Sequence, residues 1–540
     1  MKKTSAVVGL VAGVVAVTAW PVVARAQAEP GAALGATNGL TSQRYLGTGK
    51  GVIVAVLDSG VDVKHPSLAG ALYSQKDFTG EKILDDSIRG PGHGTGIAGI
   101  MVGRGGQYTG LAPAARLINA RVDDSQDVAT DLWAGSGLIW SAKKGARVAN
   151  VSFGSRLDSG GQLTERFTLV CDYVAERYGV NVTVAGGNDG NRDGSSVNQV
   201  PADNYNGYTV GAVGANYVNA ADFSNYAQPE DRRTKPDLMA PGVGVVAPLA
   251  NWERRGDDHG PMTGTSFAAP MVGGVLAQMV GYGKAKELPT NPLLLKAVLL
   301  TTATKALDTD GTPWEPRKGK EDKYYKRVIS KPLDNEQGAG MLDAVAAYRL
   351  YSRTKSRSTP VNVWKEGALA GNKSSEMKLG KLAAGQRVDA TLTWYRHVTY
   401  KDRGEEGFDD DDTLESGSLA DFTLRLLRDG EPVVASDSSA DNLEHLSWTL
   451  DEAGSYSLQV YRFKEGGIAS EKFAVAARVL KDSAASLSLV RQAGVSRSLD
   501  EGAFGIAGAF GASAVPEPGV GGAIAFCATG ALARRRRRRG

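Results

Sequence analysis

Three short segments carry side chains that could do chemistry together. Val52-Ile53-Val54-Ala55-Val56-Leu57-Asp58-Ser59-Gly60 is an apolar run that ends on a carboxylate. Gly92-His93-Gly94-Thr95-Gly96-Ile97-Ala98-Gly99 sets an imidazole between glycines at the start of a small-residue helix. Gly264-Thr265-Ser266-Phe267-Ala268-Ala269-Pro270 puts a hydroxyl at the mouth of another helix, with Pro270 expected in its first turn. A continuous apolar run reads as a strand buried on both faces of a parallel sheet. Open α/β sheets place their sites at the carboxyl ends of such strands. A helix start offers unpaired N–H groups beside the hydroxyl, which suits a nucleophile next to a forming oxyanion. An Asp, a His and a Ser in this order fit nucleophilic acyl transfer: Asp58 orients the ring, His93 shuttles the proton, Ser266 attacks. The order excludes the α/β-hydrolase pattern, whose serine precedes its partners within GxSxG. Plainer readings stand beside this one: a helix cap for Asp58, a polar helix-end residue for His93, a capped helix for Ser266.

These segments resemble the Asp, His and Ser blocks of the subtilisin-like serine proteases, the subtilases or peptidase S8 family, over residues 45–350. Asn150-Val151-Ser152-Phe153-Gly154, Val184-Ala185-Gly186-Gly187-Asn188-Asp189-Gly190 and Lys235-Pro236-Asp237-Leu238-Met239-Ala240-Pro241-Gly242 resemble three further blocks, in the family's order. The resemblance implies a serine endopeptidase that hydrolyses protein or peptide substrates through an acyl-enzyme. It implies an oxyanion hole built from the Asn188 side chain and the Ser266 N–H. An S1 pocket would be walled by Ser152, Phe153 and Gly154 and by Ala185, Gly186 and Gly187, with its floor near Gln199. Those walls carry no charge, which favours a neutral or apolar P1 residue. Taken alone, Asn188 is also ordinary turn chemistry between glycines. His65, His259, His397 and His445 lack a comparable helix start and are set aside as the base.

Departures from the pattern are specific. Gly96 stands where the family usually has a second histidine, and a packing gap is expected there. The stretch 102–110 is short, and Ser67 replaces an acidic residue, so the family's strong calcium site is expected to be missing. Residues 29–45 are few for a folding propeptide. The chemistry requires no cofactor; calcium is compatible with it, and no ligands are assigned. The alternative function is a catalytically silent protease-like scaffold for surface or matrix binding.

The expected fold is α/β, a doubly wound and mostly parallel sheet, followed by a smaller antiparallel β-sandwich. With 540 residues and 42% hydrophobic content, the chain is long enough for both. Strands are predicted at 116–122, 147–153 and 180–185, and helices at 131–144, 163–178, 266–280 and 292–302. Alternating runs at 387–394, 421–427, 447–450 and 455–462 predict the sandwich. The acidic run Asp409–Asp412 reads as a solvated loop, since it lacks the spacing of a calcium loop.

Residues 1–28 read as a secretory signal peptide, 29–352 as the peptidase domain, 353–480 as the sandwich and 481–513 as a linker. In 514–540, Val515-Pro516-Glu517-Pro518 precedes a short apolar run and six arginines, Arg534–Arg539. The run falls short of the about 20 residues of a stable span, and the arginines would hold the cytoplasmic side. This layout resembles a PEP-CTERM sorting signal, which implies an exosortase-type sorting enzyme as partner and transient membrane contact through the tail. The expected destination is secretion or the cell surface and matrix. Without the three basic residues of the leader and the tail's five net positive charges, the formal +3 becomes −5, which excludes nucleic acid as a natural partner. Cys171 lies in the body and Cys527 in the tail, so no intrachain disulfide is expected after processing.

Overall fold

Runs of Val, Ile, Leu and Ala between glycine-rich loops supply strands that can be covered on both faces. In the computed structural model, seven of them form one parallel sheet. They are β1 (Ile53–Asp58), β2 (Leu72–Asp77), β3 (Arg116–Arg121), β4 (Val148–Val151), β5 (Asn181–Ala185), β6 (Tyr208–Val213) and β7 (Leu238–Pro241). The structure describes residues 39–481 except 88–89, 106–107, 157–161, 191–198, 215–218, 226–232, 257, 306–320, 323–326, 331, 357, 404–407 and 464–467. The sheet order is β2-β3-β1-β4-β5-β6-β7. The chain winds from β1 to one side and then crosses to the other, so the carboxyl end of β1 lies where the winding reverses. Asp58 is its last residue.

Helices cover both faces. On one side α1 (Gly39–Leu46), α2 (His93–Val102), α5 (Thr265–Lys286), α6 (Pro292–Thr302) and α7 (Ala344–Tyr351) enclose a core that includes Val54, Ile97, Val272 and Leu299. On the other, α3 (Asp131–Lys143) and α4 (Glu165–Tyr178) enclose Leu57, Ile118, Leu138 and Phe167. α5 runs six residues past its predicted end, because Gly281–Lys286 is polar yet still helical before Glu287 turns left-handed. Pro270 falls in the second turn of α5, not the first.

Two further sheets, built mostly from strands after α7, stack on each other; their pairs are antiparallel except that of Arg327–Ile329 with Glu431–Ser436. One orders β8 (Val361–Ala370), β17 (Ser470–Leu480), β10 (Arg387–Trp394) and β15 (Leu443–Thr449). The other joins two short strands, Glu321–Asp322 and Arg327–Ile329, to β14 (Glu431–Ser436), β13 (Phe422–Arg428), β16 (Gly454–Arg462) and β9 (Lys373–Leu382). Trp394, Phe422, Leu424 and Phe473 fill the space between the sheets. The outer face of the first sheet lies on α6: Thr301 Oγ1 donates to Thr391 Oγ1 at 2.9 Å, and Arg478 reaches the α6 terminal carbonyls of Thr302 and Ala303. A hairpin of β11 (Val398–Lys401) and β12 (Thr413–Ser416) reaches back over α3 and α4. Its connection seats Phe408 over Gly135, where a Cβ would come within 2.4 Å of the ring.

The acidic run belongs to that connection. Asp412 accepts from the Tyr400 hydroxyl and the Arg403 and Asp409 N–H groups, and Arg166 holds the Asp409 and Asp412 carbonyls. No group of three or more His, Cys, Asp or Glu side chains is arranged to hold a metal among the described residues. No helix among them is long and apolar enough to cross a membrane. The leader, the sorting-signal tail and all of the linker except Lys481 lie outside the described residues.

Candidate active site

The sheet delivers Asp58, and the first turn of α2 delivers His93. Asp58 is 3% exposed and His93 21%. The imidazole Nδ1 donates to Asp58 Oδ1 at 2.9 Å and lies 3.1 Å from Oδ2. Ser59 N–H and Oγ donate to the same Oδ1 at 2.9 and 3.1 Å. Such contact needs glycine at 94: a Cβ there would sit 2.1 Å from the Gly60 carbonyl and 3.0 Å from Asp58 Cβ. Burial pushes the imidazole down, but the charge and hydrogen bond of Asp58 outweigh it and hold the ring above its ordinary value. With Nδ1 protonated toward Asp58, Nε2 of the neutral ring is an acceptor.

Ser266 is the second residue of α5 and is buried. Its surroundings follow from Pro270, which has no N–H to give the Ser266 carbonyl four residues earlier. That carbonyl instead accepts from Ser152 Oγ at 2.8 Å, and Ser266 Oγ donates to the Ser152 carbonyl at 3.2 Å. Behind Ser152, Asn150 Nδ2 donates to its hydroxyl at 2.8 Å, and Thr183 Oγ1 donates to Asn150 Oδ1 at 3.0 Å. A proline-freed carbonyl thus ties the helix to β4 and β5. Sequence reasoning missed this use of Asn150, Thr183 and Pro270, although the four-residue spacing from Ser266 to Pro270 is its signal. Among the described residues no hydrogen bond joins Ser266 to His93. The neighbouring Phe267 ring packs edge-on against the imidazole at 5.4 Å.

Asn188 is fixed by the same helix start. Its Oδ1 accepts from Thr265 N–H at 2.8 Å and Thr265 Oγ1 at 2.9 Å, and Gly187 N–H donates to Thr265 Oγ1 at 3.1 Å. These bonds orient the amide so that Nδ2 lies on the Gly264 side, 3.5 Å from where a Cβ would stand. The Asn188 Nδ2 makes no hydrogen bond among the described residues. Asn188 is therefore a helix-capping residue that still has a donor to give.

Along the predicted pocket, Ser152 is buried, whereas Phe153 and Gly154 are half-buried, with the Phe153 ring stacked on Phe167 at 5.9 Å. Ala185, Gly186 and Gly187 continue from β5. Gln199 is buried and donates Nε2 to Asp189 Oδ2 at 2.5 Å. Its Oε1 comes within 1.9 Å of the position a Cβ would take at Gly187, and Asn225 Nδ2 within 2.2 Å. Neither of those two atoms has a hydrogen-bond partner among the described residues. Gln199 and Asn225 thus fill the place beside Gly187, with the Asp189 carboxylate bound to Gln199, and Asn225 is a member that sequence reasoning missed.

The expected gap at Gly96 is corrected. A Cβ there would sit 2.7 Å from Met262 Sδ, so a thioether occupies the room a larger side chain would need. The other histidines lie in different settings. His65 and His259 pack edge-on at 5.2 Å, with Ser67 Oγ 3.0 Å from His259 Nε2 and Tyr108 stacked on His259 at 4.3 Å. His397 sits between Glu176 and Glu471 at 2.6 and 2.5 Å. His445 faces Thr391 at 2.7 Å.

Residues 49–340, more than half of the chain, match the sequence model of the Subtilase family, peptidase S8. A thermophilic serine proteinase from Bacillus sp. (strain AK1) is 31% identical over 259 residues, 47% of this chain and 57% of that protein. Thermitase from Thermoactinomyces vulgaris is 29% identical over 281 residues, 51% of this chain and 88% of thermitase. The chain thus spans less than two thirds of the first relative's length and most of the second's. A solved cold adapted subtilisin-like serine proteinase is 28% identical, covering 49% of this chain and 88% of its own, with a TM-score of 0.40.

Proposed function

This chain belongs to the subtilase family of serine proteases, and on that premise we propose that it cleaves peptide bonds of proteins through an acyl-enzyme formed on Ser266. The observation that carries the reading is the Asp58–His93 hydrogen bond at the mouth of the sheet, beside a helix start held by Asn188. With substrate bound, the Ser266 hydroxyl turns from the Ser152 carbonyl to His93 Nε2, a tightening expected of sites without ligand. His93 takes the proton as the oxygen attacks, and Asp58 stabilises the imidazolium. Negative charge gathers on the carbonyl oxygen, where Asn188 Nδ2 and the Ser266 N–H donate. His93 returns the proton to the leaving amine, and water repeats the sequence to release the acid. The substrate runs extended beside Ser152–Gly154, with its P1 side chain toward Gly187 and Gln199. The walls Ser152–Gly154 and Ala185–Gly187 carry no charge, which supports a neutral P1 residue.

Export by the leader and sorting by the tail, through an exosortase-type enzyme with brief membrane contact, would bring this activity to the cell surface or matrix. The competing reading, a silent scaffold, draws on the Ser266 hydroxyl being turned to Ser152 rather than to His93. Met262 Sδ takes up the room at Gly96, so the packing gap expected there does not add to that reading. Casein separates the two: the wild-type protein degrades it, and Ser266→Ala does not while keeping its circular dichroism. Equal degradation by that variant would remove the mechanism. An inert wild type would favour the scaffold.

A further inference from the structure

Asp86 is fully buried, precedes α2 and takes no part in the chemistry above. Both of its oxygens are committed to one residue of the His93 helix. Oδ2 accepts the Thr95 N–H at 2.9 Å and Oδ1 accepts Thr95 Oγ1 at 2.5 Å. Thr95 is the third residue of α2, so its N–H is among those a helix cannot pair internally. The N-cap position is Gly92, which has no side chain to serve it. Asp86 fills that role from outside the helix. Gly92 also makes the room, because a Cβ there would stand 2.3 Å from Ala250 Cβ and 3.1 Å from Asp86 Oδ1.

The same hydroxyl looks the other way as well. Thr95 Oγ1 accepts the N–H of Asp62 at 2.8 Å, in the loop that leaves Asp58. One threonine therefore joins the loop after Asp58, the buried Asp86 and the helix start that carries His93. Burial pushes the Asp86 carboxyl up to about 7, the Thr95 bonds oppose this, and the Asp58 charge adds to it. An acid buried this fully and bound to one residue of the His93 helix calls for a reason beyond surface solubility.

We propose that Asp86 is a positioning residue for the peptidase reaction: through Thr95 it sets the His93 ring against Asp58, without touching substrate. The inference rests on the proposed reaction, but its geometry can be read without turnover. Misplacing a proton shuttle lowers the chemical step and leaves binding alone. The carboxylate also adds to the negative charge that raises His93, alongside Asp58 and Asp123, which stay in place in the variants below.

The test compares Asp86→Asn, Asp86→Ala, Thr95→Ser and Thr95→Val in the full chain. Expected kcat losses are about 100-fold for Asp86→Ala and about tenfold for Asp86→Asn, with KM within about a factor of two. Thr95→Ser should be near wild type, and combining Asp86→Asn with Thr95→Val should cost less than the two singles multiplied, because they break one network. Without substrate, NMR titration of the His93 imidazole should show its pKa lowered in Asp86→Asn. If Asp86→Ala does not fold, the Asn and Thr95 variants decide. An unchanged kcat together with an unchanged His93 titration in Asp86→Asn overturns the proposal, as does a loss carried by KM. If the wild type cleaves nothing, the reaction itself fails, while a His93 pKa lowered in Asp86→Asn still upholds the coupling.

Discussion

Two regions of this molecule each set a histidine near an aspartate, and they treat it in opposite ways. In the α/β body, burial lowers His93 but Asp58 more than offsets it, leaving the ring above its ordinary value. In the sandwich, burial drives His445 down to about 3, and Asp389 fails to rescue it. The differences are the bond and the nearby cations: His93 shares a hydrogen bond with Asp58, whereas His445 faces Thr391 and is pushed down further by Lys305, Arg478 and Arg387. Burial would raise Asp389, but Arg387 and Arg478 bring it down to about 2 and use up its charge. Asp58 makes no ion pair other than that with His93 among the described residues. His445 is held against Thr391, whereas the proton-carrying role proposed for His93 draws on its bond to Asp58.

The contrast can be sharpened, starting where the effect is largest. Asn188→Ala should lower kcat by about 10²–10³-fold with little change in KM, the loss that subtilisin itself shows when its oxyanion-hole asparagine is removed. Steady-state kinetics on a peptide amide would check it, and a loss confined to KM would count against the oxyanion role. Across the boundary, Phe408→Ala removes a buried ring from the sandwich hairpin and should cost about 3–5 kcal/mol of unfolding free energy. Turnover per folded molecule should not change, and denaturant unfolding run beside an activity assay separates the two.

His397 gives a smaller and pH-dependent effect. Hydrogen bonds that its ring donates to Glu176 on α4 and Glu471 on β17 raise it to about 10, burial opposing them. A folded-state value above the ordinary 6.5 stabilises fully below that pH, and the benefit is lost as pH rises through about 10. In His397→Gln, the fall in melting temperature between pH 6.5 and 10 should therefore be shallower than in wild type. The smallest expected effect is in selectivity: Gln199→Gly should broaden the P1 residues cleaved in a peptide library, and an unchanged profile would discard Gln199 as a pocket residue.

Much of this was legible in the sequence where one residue needs one neighbour. Buried strand runs and glycines beside Asp58 and His93 announce close packing, and the parallel sheet follows from them. The sandwich was legible only in its alternating strands. Ser470–Leu480 shows no alternation because one face meets the opposing sheet while the other meets α6. Lys373–Leu382 is a polar edge strand with a bulge, which looks like a loop. Around the site, two of the residues that escaped act on the backbone. Asp86 serves an N–H nine residues away, and Pro270 acts by a bond it cannot make. Periodicity holds no trace of Asp86, and Pro270 shows only in its four-residue spacing from Ser266.

The central claim is that Ser266 is a nucleophile activated through His93 and Asp58. A fluorophosphonate probe, followed by mass-spectrometric mapping of the modified peptide, tests it most directly. The account predicts a single adduct on Ser266, formed far more slowly in His93→Ala and Asp58→Asn proteins that remain folded. A folded protein that degrades casein while Ser266 stays unmodified, or that carries the adduct on another residue, would contradict it.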